Sequence, residues 1–64
     1  MTEEQAKQII EQLRQRKIEE YMVQKEDFLV FRSVLVAQED FKHFRGEAQR
    51  GGHVLFTYLD TPRS

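Results

Sequence analysis

Apolar residues in the first part of the chain recur at helical spacing. Ala6, Ile9, Ile10 and Leu13 fall at i, i+3, i+4 and i+7 with polar residues between them, the stripe of an amphipathic helix. Thr2, followed three residues later by Gln5, has the form of a capping box. Glu3 and Glu4 suit the positive end of the helix dipole, and Glu3 and Lys7 are spaced for a helical ion pair. After Leu13 the phase slips. Ile18 is the next apolar residue, followed by Tyr21, Met22 and Val23. At helical pitch Ile18 and Met22 lie off the first face. Either the helix ends near Lys17, leaving Ile18 to Val23 extended, or it continues with a second apolar face for a partner.

The middle of the chain contains two similar heptapeptides, EDFLVFR at Glu26–Arg32 and EDFKHFR at Glu39–Arg45. Their offset is shorter than the roughly 20–50-residue periods of repeat architectures, so they are one polar-aromatic frame used twice. Phe28 to Val36 is aromatic and β-branched, which predicts a central strand apolar on both faces and therefore covered on both. The competing reading is one helix from about Glu26 to Arg50, because Val30, Val34, Ala37, Phe41, Phe44 and Ala48 also form a helical stripe. The strand is favoured because the C-terminal segment needs a neighbour. In the second heptapeptide Lys42-His43 replaces Leu29-Val30. A second helix is expected there, ended by Gly51-Gly52, although Gly46 inside it would cost about 1 kcal/mol. His53 to Asp60 alternates as a C-terminal strand, and Pro62 closes it, leaving residues 61–64 as a frayed tail. The result is an α+β fold in one small domain.

A chain of 64 residues leaves much of its apolar surface uncovered. With no cysteine a disulfide cannot staple it, and self-association is the expected remedy. Ten basic and eleven acidic residues nearly cancel, which argues against a protein built to grip a polyanion. No apolar run approaches the roughly 18 residues of a membrane span, and the acidic, polar start is unlike a signal peptide. A cytosolic protein is expected.

Candidate chemistry is sparse. Glu39, His43 and Glu47 would share one face of the expected second helix, but with His53 the only other histidine a metal site lacks donors. Ser33 and Ser64 have no base and orienting acid in reach of a motif. No catalytic residue, metal or cofactor is assigned. The expected function is a homo-oligomeric interaction or regulatory module, with a partner surface on Ile18, Tyr21 and Met22 and on a strand edge guarded by Arg32 and His53. Two alternatives stand beside it. One is a nucleic-acid accessory protein using Lys42, Arg45 and Arg50. The other is an anion or small-molecule site between subunits around Arg45, Arg50 and His53.

Overall fold

The capping box at Thr2 forms in the computed structural model of the chain, which describes residues 1–62. Thr2 Oγ1 accepts from the Gln5 N–H at 3.1 Å, and the Gln5 side chain accepts from the Thr2 N–H at 3.0 Å. Helix α1 runs Glu3–Arg14 and buries Ala6, Ile10 and Leu13. It ends without a glycine. Arg16 takes the left-handed conformation at φ 62°, so its N–H reaches the Leu13 carbonyl at 3.1 Å and the Lys17 N–H reaches that of Gln12 at 2.9 Å. These bonds satisfy carbonyls that a helix end leaves open. A non-glycine residue there costs roughly 1–2 kcal/mol. Arg16 is also held by Asp60 and by the Tyr58 ring, 5.5 Å below its guanidinium. The slip after Leu13 therefore marks a helix end, and strand β1 follows at Glu20–Val23.

The next two segments differ from expectation. Residues 28–36 are not a strand: helix α2 spans Phe28–Leu35 after a 3-10 turn at Lys25–Asp27. Phe31, Val34 and Leu35 are buried at helical spacing, while Leu29 is 79% exposed. Such exposure contradicts a strand covered on both faces. Packing outweighs the β preference of the individual residues, a preference that is itself largely contextual. Nor does one long helix form, because α2 stops at Leu35.

The expected second helix is also absent. Phe41–His43 makes a 3-10 turn, and strand β2 follows at Phe44–Ala48. Gly51 and Gly52, at φ 79° and 86°, form the turn of a hairpin instead of a helix cap, a backbone that L side chains resist. The expected C-terminal strand is present as β3, Val54–Tyr58. It lies at the centre of an antiparallel sheet ordered β1-β3-β2. Of the expected tail 61–64, Arg63 and Ser64 lie outside the described residues.

The register sets Tyr21, Phe56 and Gly46 in one row and Val23, Val54 and Ala48 in the next. Because strand residues alternate faces, these rows, with Phe44 and Tyr58, face the helices. Ala6, Ile10 and Leu13 of α1 and Phe31, Val34 and Leu35 of α2 close over Val23, Phe44 and Phe56 to make the core. The Phe31 and Phe56 rings sit 4.8 Å apart at its centre. Glu20, Met22, Arg45, Glu47, Leu55 and Thr57 form the opposite face of the sheet. The architecture is α+β, with two helices on one face of three strands.

Phe31→Ala tests this core. A domain of this size holds roughly 3–5 kcal/mol of net stability, and emptying a buried phenylalanine site costs about 3–5 kcal/mol. The variant is expected to lack a cooperative thermal transition by circular dichroism. A transition close to that of the parent would contradict the packing.

Candidate interaction surface

Beyond Phe44, the helices do not cover the β2 flank of the sheet. Helix α2 packs on α1, and α1 packs on β1 and β3. Between α2 and β2 lies a groove of about 410 Å³, walled by Phe28, Arg32 and Leu35 of α2 and by Val36 just past its end, and floored by Gly46, Ala48, Val54 and Phe56, with Phe41 and Phe44 at one end. Its lining is apolar except for Arg32. Leu29, Arg32 and Val36 fall within about 60° of one another around α2. The helix therefore carries an exposed apolar stripe beside the groove, with Leu29 79% and Val36 44% exposed. Gly46 is needed for the floor. A Cβ there would sit 3.0 Å from Phe56 Cε1 and 3.2 Å from Val54 Cγ1.

Strand β2 is also an edge. The Leu59 N–H donates to the His43 carbonyl at 2.7 Å, and the Gln49 N–H donates to the His53 carbonyl at 2.8 Å. His43 and Gln49 therefore turn their main chain towards β3. Hydrogen-bonded and non-bonded pairs alternate along an antiparallel ladder. Arg45 and Glu47 consequently share that inward set, and the N–H and C=O groups of Gly46 and Ala48 and the Phe44 carbonyl point away from the sheet, the Phe44 N–H being taken by the Phe41 carbonyl.

A polar clamp fixes where β2 begins. Arg14, in the last turn of α1, donates through Nε and one terminal nitrogen to the two Asp40 oxygens at 2.8 and 2.7 Å. It also donates to Gln38 Oε1 at 3.1 Å and Glu11 Oε1 at 2.6 Å. The Tyr58 hydroxyl donates to Asp40 Oδ2 at 3.0 Å. Bonds from Arg14, and then from Tyr58, hold the Asp40 carboxyl down at about 2. Partial burial pushes the Tyr58 phenol up, and its bond to Asp40 adds to this. The Arg14 guanidinium is held still more firmly protonated by Asp40. Asp27, the matching residue of the first heptapeptide, takes the chain's amino group at 2.8 Å. The two aspartates of the repeated frame thus secure opposite ends of α1. Every group of the clamp is engaged, so it is built to hold a shape and offers no free acid or base.

The residues singled out from sequence are dispersed. Ile18 and Tyr21 pack against the core on the helix side, while Met22, 38% exposed, is on the opposite sheet face. Arg32 is on α2 and lines the groove, so it does not guard a strand edge. Arg45 pairs in register with Thr57, four residues from His53 along β3, a separation of roughly 13 Å at strand rise. It lies 3.9 Å from Glu47. Arg50 is exposed in the hairpin turn. His53 Nδ1 accepts from the Lys25 N–H at 3.1 Å, tying that turn to the one before α2. Arg45 is thus separated from Arg50 and His53. His43 is not an exposed helical residue. It stacks on Tyr58 at 5.3 Å, and its Nδ1–H donates to the Leu59 carbonyl at 2.9 Å. With no helix over 39–50, the shared face of Glu39, His43 and Glu47 does not form, and no group of three metal-ligating side chains occurs among the described residues.

The open β2 edge was hidden from sequence reasoning because Phe44-Arg45-Gly46-Glu47-Ala48 holds few strand formers. The clamp left a fainter trace, the aspartate shared by the two heptapeptides.

Residues 3–57 match the family described as YkzS-like protein, and the chain belongs to that family. Neither the curated proteins nor the solved structures contain a match. No helix among the described residues is long and apolar enough to cross a membrane.

The clamp makes stability depend on acid. The folded Asp40 value, about 2, lies below its ordinary 3.8. Its contribution is therefore complete only well above 3.8 and is lost as pH falls through about 2. Asp40→Asn is expected to cost about 1–2 kcal/mol at neutral pH and to flatten the stability profile in that acid window. Urea unfolding at stepped pH measures both; an unchanged acid slope would count against the clamp.

Proposed function

We propose that this YkzS-like chain works as a small cytoplasmic homo-oligomeric interaction module, with no catalysis of its own. The unpaired β2 edge beside an apolar groove carries this reading. An open edge offers a row of main-chain donors and acceptors, and natural proteins usually blunt such edges when they are not used. Strand β2 has no proline or lysine to block pairing. The size of the chain supports the reading too. Among the described residues the core of nine buried side chains includes no buried polar network, and the chain has no cysteine for a disulfide, so association would add burial that the monomer lacks. The polar groups that sequence alone suggested for an anion site do not converge, and the clamp's acid, base and phenol are spent on one another.

Sedimentation equilibrium from low to high micromolar protein tests the proposal. A mass of twice the monomer or more, falling towards one monomer on dilution, is expected. A monomer across the whole range would overturn it.

A further inference from the structure

We infer that the partner at this edge is a second copy of the chain, joined β2 to β2 in antiparallel order about a two-fold axis at Gly46. This rests on the homo-oligomer reading and gives it a geometry. The free main-chain groups of β2 are the N–H and C=O of Gly46 and Ala48 and the carbonyl of Phe44, whose N–H is bonded to Phe41. An axis at Gly46 makes Gly46 face Gly46 of the second copy, the two exchanging both bonds, and Phe44 face Ala48, whose N–H donates to the Phe44 carbonyl. Each outward donor then meets an outward acceptor. The sheet continues across the axis as six strands, and the two helix-bearing faces lie on the same side.

Charge selects this register. Arg45 and Glu47 are both exposed and flank Gly46. With the axis at Gly46, each Arg45 lies opposite Glu47 of the second copy, twice per dimer, in the non-bonded pairs where side chains come closest. Moving the axis by one residue sets Arg45 against Arg45 or Glu47 against Glu47. Like charges directly opposite are unfavourable, so both neighbouring registers are disfavoured. The other edge, β1, has no such code, since Glu20 is its sole charged residue. Self-complementarity of this kind is what a closed two-fold contact requires.

The two grooves also become neighbours in this arrangement. Each is floored by small residues, Gly46 and Ala48, next to the axis. The apolar stripe Leu29–Val36 of each α2 then borders a single trough spanning both copies.

Charge exchange tests the pairing. Arg45→Glu and Glu47→Arg each place like charges opposite one another twice, and each alone is expected to weaken the dimer about tenfold. Mixing the two variants restores opposite charges in a heterodimer, so a one-to-one dimer is expected to reappear. A repulsion confined within one chain would not be relieved by mixing. Register is read with cysteine, which the chain lacks. Arg45→Cys and Glu47→Cys chains are expected to cross-link to each other on mild oxidation. Neither should cross-link to itself, since its cysteines would lie about 8 Å apart, beyond disulfide reach. Ala48→Pro removes an outward N–H that makes no bond to β3, and it should give folded monomer. If the parent dimerises but the charge variants dimerise equally and the mixed cysteine chains fail to link, the copies meet elsewhere. The β2 pairing then falls while the homo-oligomer reading stands. A parent that never dimerises removes both.

Discussion

The bidentate pair between Arg14 and Asp40 is the contact on which the arrangement of this small protein turns. It ties the last turn of α1 to the connection between α2 and β2, and through the Tyr58 hydroxyl it reaches the central strand. The partners are 29% and 26% exposed, so water screens them only in part. A fork of two charge-assisted bonds also fixes orientation in a way that a single contact does not. Four residues after Asp40 the chain becomes β2. The clamp thus places the start of the edge strand, and Tyr58 opposite Phe44 in register carries the same constraint across the hairpin.

The two heptapeptides show how one frame serves two structures. In each, a 3-10 turn precedes or contains the first phenylalanine, and the second phenylalanine, Phe31 or Phe44, is fully buried. In each, the aspartate reaches out to α1, Asp27 to its N-terminal end and Asp40 to its C-terminal end. Beyond these anchors the two segments diverge. Leu29-Val30 leads into a helix that shows Leu29 to solvent, and Lys42-His43 leads into a strand once His43 has stacked on Tyr58. The repeated letters anchor, and the letters between the phenylalanines allow the divergence.

Much of the fold is legible where local and tertiary preferences agree. Helix α1 announces itself through Thr2, Gln5 and its apolar stripe, and β3 through its alternation between His53 and Pro62. The slip after Leu13 correctly allows a helix end, though the residue that makes it is Arg16, which no glycine rule would select. The middle is illegible for a physical reason. Phe28–Leu35 consists of strand-favouring residues that are recruited into a helix because Phe31, Val34 and Leu35 must meet α1 and Phe56 together. Strand β2 is harder still. Its helix-facing positions Gly46 and Ala48 are small because Phe56 and Val54 occupy the space in front of them. The strand's pattern is thus written in its neighbour's side chains. The dispersal of Ile18, Tyr21 and Met22 arises from the same difficulty: without the strand boundaries, adjacent residues cannot be assigned to opposite faces of a sheet.

The uncovered strip and the open edge have a common origin. Helix α2 has eight residues, roughly 12 Å of length, and α1 claims its packing face. Phe31 and Phe56 fill the space between that helix pair and the sheet centre, leaving none of the helical layer to lie over β2 beyond Phe44. Covering this strip within one chain would require a longer α2 or larger residues on β2. Larger residues are excluded at Gly46 by Phe56, and lengthening α2 would displace the Gln38–Asp40 segment on which Arg14 closes. The chain is therefore confined to a solution in which β2 beyond Phe44 stays bare on its helix-facing side and the strand stays open along one edge. A second copy can supply the missing edge without disturbing the clamp, because the main-chain groups it would use are those the monomer leaves outward. The residues beside them, Arg45 and Glu47, point to the face that no helix occupies, so matching their charges across an axis requires no change in the core.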